Sequence, residues 1–261
     1  LARVGTQLAL RRAGEDVKRL AAQLRAAHER IATLLSTGGE AFADFGRWAD
    51  IVEFDMSNSR QAHRILIKRG DQIGAVTIID GLCVVGIERG LMELADWCDT
   101  TVELVSGRHD HLELAALAAA AQFWWLQNRV EEIPPAAERM SRVDGSAEHH
   151  LALELVAVKA TLSPERWADA TERLQRALAR YGPTEPTWAT AQVVGFLVLL
   201  GGLDESAAAP IAKQLNSPVL SATFAFYRAV PYYVRDEDEI GSELAGEAVA
   251  MARTAGATFQ T

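Results

Sequence analysis

Cysteine is scarce. The 261 residues hold two, Cys83 and Cys98, fifteen apart and outside any CxxC, which excludes a disulfide scaffold and fits a reducing compartment such as the cytoplasm. Both are expected to be small buried hydrophobes. Long apolar runs are also missing. The longest uncharged ones, Val193–Leu200 and Leu114–Leu126, fall short of the roughly 20 residues of a membrane-spanning helix, and no signal peptide opens the chain. Positive charge is deficient, with a formal net charge of −9. Residues 71–261 carry 14 Lys/Arg against 27 Asp/Glu, so this body would repel a phosphate backbone. The basic excess lies in residues 1–70, 12 against 8, notably Arg11, Arg12, Lys18, Arg19, Arg25 and Arg30. No aromatic interleaves them, so single-strand stacking lacks a platform, and direct nucleic-acid contact is not expected.

Catalytic signatures are absent as well. No glycine-rich loop ends in Lys-Ser or Lys-Thr, no Gly-x-Ser-x-Gly elbow occurs, and no Asp-Asp-x-x-Asp run could gather metal on facing helices. His109-Asp110-His111 holds metal-ligand types, but histidines two apart on a helix point about 200° apart. These residues, like His149-His150, read as polar helix starts. Glu131-Glu132, Asp204-Glu205 and Asp236–Glu239 also fall at expected helix starts, where the dipole favours acid. No catalytic residue, cofactor or metal is assigned.

What the chain has is helical rhythm. Hydrophobic residues make up 49% of it, and they recur at helical spacing. Leu10, Val17, Leu20, Leu24, Ile31 and Leu35 form one stripe, closed by Gly38-Gly39. A short helix around Ala41–Ile51 and another from Asp55 to Arg69 are expected next. Beyond Gly70, helix starts fall near Asp71, His109, Ala147, Glu185 and Val219, spaced by 38, 38, 38 and 34 residues. Second helices begin near Glu88, Val130, Pro164, Asp204 and Asp236. Five helix–turn–helix units of this period point to a solenoid, each pair burying its apolar face on its neighbours. Residues Ile73–Val85 are β-branched and favour strand by propensity, yet Ala75, Val76, Ile79, Leu82, Cys83 and Gly86 fall at helical spacing, so a helix is expected there.

The stretch Glu165–Leu178, with Ala170 and Ala177 seven apart and Trp167, Leu174 and Leu178 between and beside them, resembles the second helix of a tetratricopeptide repeat. Asp55-Met56-Ser57-Asn58-Ser59-Arg60-Gln61-Ala62, then Arg69-Gly70-Asp71, Arg89-Gly90 and Trp97, is similar to a stretch of large bacterial signalling ATPases. These include LuxR-type and antibiotic-regulator-type activators and some class III adenylate cyclases, and the alanine- and arginine-rich composition suggests an actinobacterial source. The resemblance implies a tetratricopeptide-like array that follows a nucleotide-binding domain. The chain, which begins at Leu1 without methionine, would then be a segment of a longer regulator.

Among the aromatics, Phe123-Trp124-Trp125 ends a first helix, and adjacent residues stand about 100° apart on a helix. Trp124 and Trp125 therefore cannot both face one core. They are candidate groove or interface residues, with Arg129 beside them and Tyr232 and Tyr233 in the last unit; Arg173 and Arg228 could add polar contacts. The expected fold is an all-α, right-handed superhelix of about five tetratricopeptide-like pairs over 71–261, with a leading helical region at 1–70 packed onto it. The expected function is non-enzymatic: a cytoplasmic module that binds a protein or small effector on its concave face and acts on an upstream nucleotide-binding domain of the same chain, without membrane contact. A stand-alone scaffold and an all-α enzyme are the alternatives.

Overall fold

A computed structural model describes residues 45–182, 187–214, 218–234 and 237–256. The described residues form eleven α-helices and no strand. In chain order these are α1 (Phe45–Arg69), α2 (Gln72–Arg89), α3 (Glu93–Val105), α4 (His111–Leu126), α5 (Ile133–Met140), α6 (Ala147–Thr161), α7 (Trp167–Tyr181), α8 (Trp188–Leu199), α9 (Glu205–Gln214), α10 (Pro218–Val234) and α11 (Asp238–Thr254). Short 3₁₀ turns at Val130–Glu132 and Pro164–Arg166 lead into α5 and α7. The stripe at residues 8–35 lies outside the described residues.

Ile73–Val85 is helical, within α2. Val76, Ile78, Ile79 and Val85 are buried where α2 meets α1, α3 and α4, and this burial outweighs the local strand preference. The expected break between Ile51 and Asp55 does not exist. Val52 and Met56 continue the buried stripe begun by Phe45, Trp48 and Ala49, and α1 runs unbroken for 25 residues, since neither Gly nor Pro falls between Ile51 and Asp55.

Caps delimit the helices where the sequence supplies them. Asp71, Asp110, Ser146 and Thr187 each accept a first-turn backbone N–H of α2, α4, α6 and α8. Gly90 closes α2 in the left-handed conformation, φ 66°, and its N–H returns to the last turn. The second helix expected near Glu88 therefore starts only at Glu93. Gly86 serves a different purpose. A Cβ there would lie 2.8 Å from Phe123 Cζ and closer still to Leu94, so α2, α3 and α4 meet at a point that admits no side chain.

Packing follows chain order. α1 lies on α2 and α3, α2 on α4, α4 on α6, α6 on α8 and α8 on α10, while α3, α5, α7, α9 and α11 sit beside their sequence neighbours. The first helices are the core. Every residue of α4 from Glu113 to Trp124 is buried, and so is every residue of α8 from Trp188 to Leu197. A helix surrounded on all sides has no polar stripe, which is why these segments read as nearly continuous apolar runs. α7 shows the opposite pattern: Ala170, Leu174 and Ala177 are buried, and Glu172 and Arg176 stand in solvent. The ends of the described chain also meet, because a Cβ on Gly46 of α1 would stand 3.1 Å from the carbonyl oxygen of Ala255. Among the described residues no helix is long and apolar enough to cross a membrane.

Candidate functional site

The end of α4 builds a surface site held by a network of hydrogen bonds. Asn128 adopts φ 60°, allowing its N–H to reach Trp125 O while the Arg129 N–H reaches Trp124 O at 2.8 Å. This is a Schellman turn with asparagine in the left-handed position. It folds Arg129 back over the last turn of the helix, with the guanidinium carbon 5.4 Å from the Trp124 ring centroid. Asp99 of α3 joins the two: its Oδ1 accepts the Trp124 indole N–H at 2.7 Å, and its Oδ2 accepts from Arg129 Nη1 at 2.6 Å. Glu132 completes the arrangement, accepting Nε and Nη2 of Arg129 at 2.8 and 3.1 Å. Hydrogen bonds donated to Glu132 and then to Asp99 raise the Arg129 pKa above its ordinary value.

These residues form one wall of a groove of about 420 Å³ between α3 and α5. Val102, Leu117 and Ala136 supply apolar lining, Glu103 and Arg139 polar lining. Arg139 is held by Glu113, a fully buried carboxylate 3.0 Å away that also accepts the His109 backbone N–H at 2.7 Å. The groove is therefore rigid and, with both arginines already paired, carries surplus negative charge along α3. That helix places Glu93, Asp96, Asp99 and Glu103 on its outer side and has no basic residue of its own. Glu93 is spent on a two-pronged pair with Arg60, 2.8 Å on each arm; Glu103 has no ion-pair partner among the described residues.

Trp124 and Arg129 thus stand together, with the Trp124 indole buried and hydrogen-bonded and one edge on the groove. Trp125 points elsewhere and is 37% exposed, the divergence expected of neighbours on a helix. Tyr232 and Tyr233 belong to α10 and do not join the groove. Tyr232 is half-buried, and the exposed Tyr233 has its hydroxyl 3.3 Å from Ser242 Oγ. Arg173 pairs with Glu154 of α6 at 2.7 Å. His109-Asp110-His111 opens α4, with Asp110 as its cap; hydrogen bonds, first from Arg108, lower Asp110 to about 2. Both cysteines are buried, and burial drives both thiol pKa values up. Among the described residues no group of three or more His, Cys, Asp or Glu is placed to hold a metal ion.

A second set of polar contacts ties first helices to one another, including pairs that are not neighbours in the row. His149 of α6 meets Asp80 of α2 at 2.9 Å. Lys159 Nζ donates to the Tyr227 hydroxyl of α10 at 3.1 Å, and that hydroxyl donates to Gln192 Oε1 of α8 at 3.0 Å. Glu88, 5% exposed, is raised by burial to about 7, against the lowering pull of the Trp188 indole and the Lys159 charge. For His149, burial lowers the pKa, but the hydrogen bond and charge of Asp80 outweigh it and the net direction is up. Sequence reasoning missed both contacts. His149 passes for a solvated helix-start residue, and its partner lies 69 positions away. Glu88 did leave a signal: Ile78, Leu82, Val85 and Glu88 recur every three or four residues, which places a carboxyl on a buried stripe. No protein-family model, curated protein or solved structure matches the chain.

Proposed function

We propose that the chain is a non-enzymatic binding module: a right-handed superhelix of tetratricopeptide-like pairs that holds a partner segment and belongs to a multidomain signalling or transcription regulator. The groove between α3 and α5 carries this reading. It is a preformed concavity with an apolar floor, a clamped Trp124–Arg129–Asp99 wall and spare carboxylate on its rim, and it is made where two successive pairs adjoin. Serial packing of helices supports the reading, because a row of pairs presents such clefts at each junction. With α4 and α8 covered on all sides, the cleft lies between second helices.

The occupant that suits the groove is a peptide segment with an apolar side chain for Val102, Leu117 and Ala136, followed by a basic one for Glu103. Binding there would favour one relative placement of neighbouring pairs, and the bias would pass along the row to an attached domain. The test is a peptide-display selection against the chain, repeated with Glu103→Lys and Arg129→Ala. Enrichment of apolar–basic peptides that both substitutions weaken at least tenfold is the expected result. Peptides indifferent to both substitutions, or no enrichment at all, would reject the groove as the site.

A further inference from the structure

Helix α1 carries an aromatic ring standing almost wholly in water. Phe54 is 93% exposed and Ile51, one turn earlier, 55% exposed. The other side of the same helix is buried through Phe45, Trp48, Ala49, Val52 and Met56, so the exposed pair has no role in holding α1 on α2 and α3. Leaving a phenylalanine and an isoleucine in solvent forgoes roughly 3–5 kcal/mol of apolar burial.

Two occupants could cover this face, and area separates them. Around Ile51 and Phe54 the ridge is polar, with Arg47, Asp50, Ser57, Asn58 and Gln61. Two apolar side chains offer ~300 Å², against about 800 Å² per partner in a stable complex of separate chains. A tethered segment needs far less, because the link sets its effective concentration near the millimolar range. The chain supplies such a segment. Forty-four residues precede Phe45, and within them Leu10, Val17, Leu20, Leu24, Ile31 and Leu35 recur at intervals of seven, three, four, seven and four. Between Leu35 and Phe45 lie nine residues including Gly38-Gly39, which extend to roughly 30 Å, enough to turn back to Phe54, two to three helical turns into α1.

We propose that the Ile51–Phe54 face of α1 is the docking site for residues 8–35 of the same chain, with Ile31 and Leu35 set against the two exposed side chains. The test is amide hydrogen exchange on the full chain, wild type against Ile51→Asp/Phe54→Asp and against Phe54→Leu, with light scattering alongside. Peptides from residues 8–35 should be protected in the wild type and with Phe54→Leu, and should lose at least tenfold in protection in the double aspartate variant, while α2–α8 keep theirs and every form stays monomeric. Protection of 8–35 that is absent in the wild type or indifferent to the aspartates overturns the proposal, as does a wild-type dimer that the aspartates dissociate. Should the aspartates disturb α2–α8, a Leu35→Cys/Phe54→Cys pair decides: a short bis-maleimide should join them within one chain, and failure to do so overturns the proposal.

Discussion

Replacing Glu88 with glutamine should stabilise the protein, and by an amount that depends on pH. The carboxyl is 5% exposed, and burial lifts it from 4.5 to about 7. A pKa higher in the folded than in the unfolded chain means that the fold prefers the protonated form. That preference is fully available below pH 4.5 and is lost as pH climbs through 7. The rise from 4.5 to about 7 corresponds to roughly 3 kcal/mol of penalty on ionised Glu88 at pH 8. Glutamine keeps the shape and the side-chain oxygen, and it never ionises. Urea unfolding of both forms between pH 4 and 8 should give a difference near its minimum at pH 4 that grows by about 3 kcal/mol by pH 8. A constant difference across that range would refute the reasoning, since it would mean that Glu88 ionises at its ordinary pH.

His63 should act in the opposite sense. It is buried, stacked on Trp97 at 5.3 Å and 2.8 Å from Thr101 Oγ1, and burial lowers it to about 4. Its contribution is present above pH 6.5 and is lost as pH falls through 4. His63→Phe, which retains the stack, should therefore remove up to about 3 kcal/mol of acid sensitivity from the same unfolding titration; an unchanged pH slope would count against a neutral buried imidazole. Gly86→Ala should destabilise by roughly 1–3 kcal/mol through overpacking against Leu94 and Phe123, read as a fall in thermal midpoint. A midpoint equal to or above the wild type would show that α2, α3 and α4 do not meet so closely.

Much of the helix order is legible in the sequence. Starts expected at Asp71, His109, Ala147 and Val219 lie within two residues of α2, α4, α6 and α10, because the caps and glycine breaks are local chemistry. The start of α8 comes three residues later, where Thr187 supplies the cap. The continuity of α1 was hidden by its polar stretch Asp55–Arg60, which looks like a boundary until Val52, Met56 and Ser59 are seen as one buried face. Helix geometry alone separated Trp124 from Trp125, whereas the stacking of Arg129 on Trp124 depends on the left-handed turn at Asn128. Asp99, the residue that fixes Trp124 and Arg129, was not legible: it comes from the preceding helix, and only the packing of α3 on α4 brings it there. The same is true of Asp80 with His149 and of Lys159 with Tyr227. Contacts that join separate units leave no trace in periodicity within a unit.

The account rests on helices that bury themselves against their neighbours in sequence order, and native-state hydrogen exchange with a lesion at one end tests this directly. Ala222 of α10 is fully buried, so Ala222→Asp places a charge in the last pairs. Because Ala255 meets Gly46 of α1, the packing predicts a large loss of protection in α10 and α11, smaller ones in α8 and α1, and amides of α3 and α4 exchanging as in the wild type. An equal loss of protection in every helix would contradict it and would describe a single cooperative globule instead.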